Sequence, residues 1–149
     1  MREIKFRGIC IDENTICIGK MVFGFLLKIE ENCYIVEVLG EDSFIWNGVN
    51  PKTVGQCTGL KDKNGAEIYE GDIVRFDEEL SVVRYDEDAA RFVLDDYGIR
   101  GCLMEYGWDE GAGGFGIVNT NGFDDFNDIS EIEIIGNIYV NPELLEGRK

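Results

Sequence analysis

The residues best suited to chemistry in this chain are carboxylates that cluster near its C-terminal end. Asp124, Asp125 and Asp128 fall within residues 124–128. Carboxylate oxygens are the ligands that Mg²⁺ and Ca²⁺ prefer, and a bound ion can activate water without help from histidine. The cluster therefore indicates one hypothesis, a carboxylate-metal-dependent hydrolase with Mg²⁺ or Ca²⁺ as its cofactor. The competing interpretation is that adjacent acids on a loop serve only solubility.

Histidine is absent from all 149 residues, and the five cysteines are widely spread. Without histidine, the chain lacks the usual general base, and neither a Ser-His-Asp nor a Cys-His site can form within it. The cysteines are Cys10, Cys17, Cys33, Cys57 and Cys102, and none belongs to a C-x-x-C pair. This spacing favours reduced thiols in a cytosolic protein, with no disulfide framework and no zinc site.

The charge is strongly negative and unevenly distributed. The net charge is −16; residues 1–75 hold nine basic and twelve acidic residues (−3), and residues 76–149 hold five and eighteen (−13). Direct binding to a nucleic-acid backbone is not expected, because phosphate binding depends on clustered Lys and Arg. The second half is predicted to present a negative face, either for a basic host or phage protein or for solubility alone.

The pattern of apolar residues predicts short strands joined by tight turns. Residues 21–29 form an apolar run suited to a central strand, in which Gly24 indicates a bulge or the close approach of another backbone. Residues 34–39 complete a hairpin with that strand. Residues 73–76, 82–85 and 91–94 predict a three-stranded meander, and residues 132–140 predict the last strand, followed by one helical turn at 143–145.

Asn64-Gly65 predicts a hairpin turn of type I′, because Asn followed by Gly supplies positive φ at both central positions. Asp62 is placed to cap this turn by accepting hydrogen bonds from backbone amides that follow it. A second turn is predicted at residues 70–72, where Gly71 lies.

Between residues 97 and 122, eight of 26 positions are glycine. Low side-chain content predicts a mobile surface loop there, and no phosphate-binding G-x-x-x-x-G-K-[ST] pattern is present.

No signal peptide is expected at the N-terminus, and the longest apolar stretch, seven residues from Met21, is too short to span a bilayer. We therefore expect no membrane partner.

Together these patterns predict an all-β fold with little helix, built from short antiparallel strands and hairpins as a small barrel or sandwich. Residues 1–149 are expected to form a single compact domain, with two lobes at 1–57 and 58–149.

Five stretches of turn formers and strand residues resemble one protein family. They are residues 4–8 (IKFRG), 23–26 (FGFL), 53–74 (TVGQCTGLKDKNGAEIYEGDIV), 133–139 (EIIGNIY) and 141–145 (NPELL). On these residues the chain resembles the YopX family of phage and prophage proteins, although Cys57 replaces an expected aromatic residue. The resemblance implies a small protein of phage or prophage genes in a bacterial cytoplasm. It implies no established reaction or catalytic residue.

The function predicted from the sequence is that of a non-enzymatic accessory protein, either an acidic protein-interaction module or a homo-oligomer, with no cofactor. Self-association is expected because an uncovered sheet edge tends to be paired, and closed homo-oligomers are common. Trp46 and Trp108 are aromatic candidates for anchoring an interface, although the interpretation favoured for Trp46 is partly buried core.

Overall fold

A computed structural model describes residues 3–76, 78–88, 90–95, 100–107, 113–119, 127–128 and 132–146. Thirteen strands occur in these ranges, in this order: β1 Phe6–Ile9, β2 Met21–Ile29, β3 Asn32–Gly40, β4 Ser43–Val49, β5 Gly55–Lys61, β6 Glu67–Tyr69, β7 Asp72–Phe76, β8 Glu79–Asp86, β9 Arg91–Asp95, β10 Arg100–Gly107, β11 Gly113–Asn119, β12 Asn127–Asp128 and β13 Glu133–Asn137. Two short 3₁₀ helices, Pro51–Thr53 and Pro142–Leu145, complete the described elements. The predicted all-β fold with little helix is confirmed.

The strands form two antiparallel sheets, and neither closes into a barrel. One sheet has the order β4-β3-β2-β1-β5-β6 and the other the order β12-β11-β10-β9-β8-β7-β13. The chain divides into two compact units, Met1–Gly59 and Leu60–Lys149. That residues 1–149 behave as one domain with lobes at 1–57 and 58–149 stays a prediction.

The first unit has its core on one face of strands β2, β3 and β4. The core cluster consists of apolar and thiol side chains that are at most 8% exposed: Cys10, Val22, Cys33, Ile35 and Val49. The predicted strand at residues 21–29 is confirmed without a change of bounds. A Cβ added at Gly24 would lie 2.1 Å from the carbonyl oxygen of Val36, so the predicted close approach of a second backbone is confirmed.

The second unit has its core where the predicted meander and the last strand meet. β7 pairs with β8, β8 pairs with β9, and β13 pairs with β7, all antiparallel. Their buried side chains join those of the preceding segment in one cluster: Leu60, Ile68, Val74, Val83, Phe92, Leu94 and Ile132. The last strand ends at Asn137, three residues earlier than predicted. The Oδ1 atom of Asn137 accepts hydrogen bonds from the backbone amides of Tyr139 and Val140 and so holds a turn.

The glycine-rich segment contains two strands where a loop was predicted. β10 and β11 pair antiparallel along their length, with Gly101 opposite Asn119 and Gly107 opposite Gly113. The loop prediction is therefore wrong for residues 100–107 and 113–119. Strand pairing uses backbone amides and carbonyls, which glycine supplies as well as any residue, so low side-chain content does not exclude it. Residues 108–112 and 120–126 lie outside the described ranges.

Candidate interaction surface

The predicted metal site falls mostly outside the described residues. Asp124 and Asp125 are not among them, and Asp128 lies in β12, where its backbone pairs with Gly116 of β11. Within the described ranges, no three His, Cys, Asp or Glu residues come together as a metal-binding group. The carboxylate-metal site at residues 124–128 therefore stays a prediction.

The described thiols are spread through the first unit. Cys10, Cys33 and Cys57 are buried, Cys17 is half-buried, and none of these four thiols forms a disulfide. The Sγ atom of Cys10 lies 3.5 Å from the hydroxyl oxygen of Thr15. These thiols belong to the core cluster or pack against its edge, with the exception of Cys57, which is buried outside that cluster. Their positions give packing roles, and they do not converge on a reactive centre.

The Asn-Gly hairpin is present, but its turn differs from the type predicted. The backbone amide of Gly65 donates to the carbonyl of Asp62, and the amide of Asp62 donates to the carbonyl of Ala66. Gly65 has a φ of +83°, whereas Asn64 is not among the residues with positive φ. This is a three-residue loop with glycine in the left-handed position, and type I′ is wrong. The side chain of Asp62 selects it, because its Oδ1 accepts from both Asn64 and Ala66.

Asp62 also ties this turn to the far end of the chain. Its Oδ2 accepts a hydrogen bond of 3.1 Å from the backbone amide of Ile134. Beside it, the amide of Lys63 donates to the carbonyl of Ile132 over 2.8 Å. One buried carboxylate thus satisfies three backbone amides and holds β13 against the hairpin. The capping role predicted for Asp62 is confirmed, and its contact with β13 was not foreseen.

An exposed ion cluster lies next to the same contact. Glu133 accepts a hydrogen bond of 2.6 Å from Arg75, which faces it across the β7–β13 pair, and Lys63 approaches the same oxygen to 3.5 Å. The hydrogen bond from Arg75 and the positive charge of Lys63 lower the pKa of Glu133 below its usual 4.5. These contacts favour the ionised carboxylate and complete the attachment of β13.

The second predicted turn forms a corner between β6 and β7. Gly71 has a φ of +91°, and its amide donates to the carbonyl of Val83. The Oδ2 atom of Asp72 accepts from the amide of Tyr69 over 2.8 Å. The residues of segment 53–74 that most resemble the family therefore shape turns and strand contacts, and none of these contacts prepares a group for catalysis.

The surface that stands out lies in the first unit, on the side of β2, β3 and β4 opposite the core. Side chains alternate between the two faces of a strand, and the core residues Cys33 and Ile35 define the inner face of β3. Register places Phe25 opposite Val36 and Val36 opposite Trp46, so these three form one cross-strand row. The outer face, as we call it, consists of nine apolar side chains: Phe23, Phe25, Leu27, Ile29, Tyr34, Val36, Val38, Phe44 and Trp46.

The outer face is both exposed and uncharged. Six of its members are 45–59% exposed: Phe23, Phe25, Ile29, Val38, Phe44 and Trp46. The ring centroids of Tyr34 and Trp46 lie 6.2 Å apart, within the range of aromatic packing. Monomeric proteins rarely expose a contiguous apolar area of this kind unless another molecule binds there. An uncharged aromatic face can bind an apolar surface of matching shape.

Trp46 belongs to this face and not to the core, so the interpretation favoured from the sequence is wrong. Its exposed fraction is 49%, and the core side of β4 is formed by Asn47 and Val49. One signal in the sequence could have found the outer face. β2 and β3 are apolar at both odd and even positions, as strands covered on both sides are.

No helix in the described ranges is long and apolar enough to cross a membrane.

Comparison with known proteins assigns the chain to a family. The family described as YopX protein matches residues 5–146. Among solved structures, the crystal structure of protein EF1440 from Enterococcus faecalis is 23% identical, with 98% of this chain and 100% of that chain covered and a TM-score of 0.42. No curated protein matches the chain. The match to the family extends over nearly the whole sequence and includes both the hairpin of Asp62 and the strand that it holds, and the chain therefore belongs to the YopX family.

Proposed function

We propose that this chain is a non-enzymatic accessory protein of phage or prophage origin, present in the cytoplasm of a bacterial host, that acts by binding protein. The observation that supports this is the exposed, uncharged outer face of the first unit. A chain in which 30% of residues are charged has ample polar residues for its surface, yet β2, β3 and β4 present aromatic and aliphatic side chains there.

The energetics of exposure support a binding role. Leaving a large apolar side chain in water forgoes about 1.5–3 kcal/mol of burial energy per residue. A sheet face of several such side chains is also prone to aggregation, which polar substitutions would prevent. Binding another protein recovers the burial energy and gives a physical reason for apolar side chains at these exposed positions.

In-cell photocrosslinking tests the proposal with a matched control on one strand. A photoreactive phenylalanine analogue replaces Phe44, which is 59% exposed on the outer face, or Ile45, which is 43% exposed on the other side of β4. We expect covalent products from position 44 and few or none from position 45. Equal crosslinking at both positions, or none at position 44, would contradict the proposal.

The acidic second half remains a predicted surface for a basic partner. Binding of that kind weakens strongly as salt rises from about 50 to 500 mM, because screening shortens the reach of charges. Charge reversal at Asp124, Asp125 and Asp128 should then weaken recovery of a cationic protein while leaving thermal stability unchanged. Substitutions on the outer face, such as Phe44→Ser, should leave that recovery intact.

The carboxylate-metal hydrolase on Asp124, Asp125 and Asp128 makes a different prediction. A ligand that binds only the folded protein stabilises it by about 2.7 kcal/mol at a hundred times its dissociation constant. Mg²⁺ or Ca²⁺ should then raise the melting temperature, and Asn substitutions at the three positions should remove the gain. A melting temperature that does not respond to either ion would end this hypothesis.

A further inference from the structure

We infer that the outer face is covered by a second copy of the same chain, packed face to face about a two-fold axis. This rests on the proposed function and names its partner. Such a pair forms only if the outer face fits against an identical copy of itself. The face must also bring few carboxylates of the two acidic chains together, and it must be large enough for a stable pair.

The charge distribution favours a second copy over the other occupants. None of the nine side chains of the outer face is charged, whereas the whole chain carries −16. Two such chains repel each other wherever their carboxylates meet, and an uncharged face is where that repulsion is least. A basic partner would need carboxylates that this face does not offer.

The ends of the same strands disfavour an anionic lipid surface. Exposed acids stand in the turns that join β2 to β3 and β3 to β4: Glu30, Glu31, Glu41 and Asp42. The negative potential of a bacterial or host leaflet would repel these side chains as the aromatic residues approached it. In a face-to-face pair, the turns lie at the rim of the interface, where carboxylates remain in water.

The geometry of sheets allows a face to pack on its own copy. Two sheets pack about 10 Å apart with their strands roughly 30° from parallel, and their inner side chains interdigitate. A two-fold axis through such a contact makes the same patch serve both chains. The row of Phe25, Val36 and Trp46 crosses three strands and places aromatic side chains on either side of a smaller one. This alternation of large and small side chains suits interdigitation with an identical row.

The exposed area of the outer face approaches the area that each partner contributes to a stable interface. Phe23, Phe25, Phe44 and Trp46 are 48–59% exposed. At about 150–250 Å² per aromatic side chain, these four alone offer about 300–500 Å². Ile29 and Val38 are also about half exposed, at 45% and 56%, and three further members are partly exposed. The sum approaches the roughly 800 Å² that each partner contributes to a stable interface.

Sedimentation equilibrium of the purified full chain tests the inference. Over about 1–100 µM protein, we expect a species of twice the chain mass of 16.8 kDa. Trp46→Lys places a charge at the β4 end of the Phe25, Val36 and Trp46 row and should weaken the pair at least about 30-fold, since buried aromatic residues such as Trp dominate interface energies. Ile45→Lys, on the same strand and the opposite side, should leave it within about threefold.

Both variants must keep the wild-type circular dichroism spectrum and melting temperature at low concentration. If Trp46→Lys does not fold, Val38→Lys takes its place, because Val38 is 56% exposed on the same face. A wild-type pair that Trp46→Lys and Val38→Lys both leave intact would show a different interface and overturn the inference.

Salt dependence gives a second criterion. Raising NaCl from about 50 to 500 mM should leave the pair unchanged or strengthen it, because the only long-range force between the chains is repulsive. A loss of affinity greater than tenfold over that range would show an ionic contact and overturn the inference.

The outcome also separates this inference from the proposed function. Wild-type protein that stays monomeric overturns the inference, while crosslinks from position 44 to a different protein would keep the proposed function. A monomer in which position 44 crosslinks to no other protein overturns both.

Discussion

The two units of this protein differ in what lies on the second face of their sheets. In the second unit, the side opposite the core cluster carries Arg75, Arg84 and Glu133, with a direct ion pair between Arg75 and Glu133, beside the buried Ile73 and Val82. In the first unit, the corresponding side carries the apolar outer face. The exposed side chains of the second unit's face are charged and are solvated by water or paired with each other, whereas exposed apolar side chains are shielded from water only by another surface.

Charge alone suggests that the second half of the chain holds the binding surface, whereas the exposed apolar side chains suggest the first unit. Residues 76–149 carry a net charge of −13, against −3 for residues 1–75, and the sequence therefore predicts the binding region in this second half. In the second unit, Leu60–Lys149, the carboxylates of Asp62 and Glu133 make contacts that hold turns and strands together. The less charged half carries the exposed surface that has no structural explanation within its own unit.

The largest effect separates the two faces of β3. Ile35 is fully buried and Val38 is 56% exposed. Ile35→Ala should destabilise the first unit by about 2–5 kcal/mol, because it leaves a cavity in the core. Val38→Ala should cost less than about 0.5 kcal/mol in dilute protein, where the face is open to water. Urea unfolding measures both, and similar costs would show that the outer face is already covered within one chain.

Asp62 measures how far charge in the second unit serves the fold. Asp62→Ala should cost about 2–3 kcal/mol, because the amides of Asn64, Ala66 and Ile134 lose a charged acceptor. Asp12→Ala provides the control, since the carboxylate of Asp12 accepts a hydrogen bond from the exposed amide of Asn14. The control should cost about 1 kcal/mol or less. If Asp62→Ala and Asp12→Ala lower the free energy of unfolding equally, as measured by thermal unfolding, Asp62 has no special role in holding the fold together.

Two glycines test the strand contact on which the outer face depends. Gly24→Ala places a Cβ 2.1 Å from the carbonyl oxygen of Val36, whereas nothing lies within 4 Å of a Cβ at Gly40. The first change should cost about 1–3 kcal/mol, because the backbones of β2 and β3 must separate. Gly40→Ala should stay within about 0.5 kcal/mol of the wild type. Thermal unfolding that ranks them in the opposite order would contradict the observed packing.

The smallest effect concerns Glu133 and depends on pH. Arg75 and Lys63 lower the pKa of Glu133 in the folded state. Ionised Glu133 therefore stabilises the protein fully at a pH above the usual pKa of 4.5, and this contribution is lost as the pH falls through the lowered pKa of the folded state. Glu133→Gln should therefore lower the urea midpoint slightly at neutral pH and leave it close to wild type in strong acid. A difference that persists unchanged in acid would point to packing instead of charge.

The secondary structure followed largely from local patterns. The bounds of β2 were predicted correctly because a continuous apolar run lies between a turn on either side, and the β7–β8–β9 meander has the same origin. The turn at Gly65 was located correctly, but its type was not. A side chain, Asp62, competed with the backbone preference of Asn-Gly and favoured the longer loop.

Two features could not be predicted in the same way: the strands β10 and β11, and the outer face. β10 and β11 were missed because backbone pairing does not depend on side-chain composition. The outer face was missed because Trp46, Phe25 and Val36 are the residue types that also fill cores. An apolar residue at a strand position does not reveal whether a second layer covers it.

By itself, the sequence determined β2 and the β7–β8–β9 meander, the glycines at two turns, the capping carboxylate and the family. These depend on φ and ψ preferences and on hydrogen bonds that reach only a few residues along the chain. Tertiary structure alone decided that Asp62 would reach Ile134, 72 positions away, and that one of the two apolar faces of β2 and β3 would stay open. The reason is that burial depends on which surfaces meet in three dimensions. Local patterns show that both faces of β2 and β3 are apolar, but they do not show which face another layer covers.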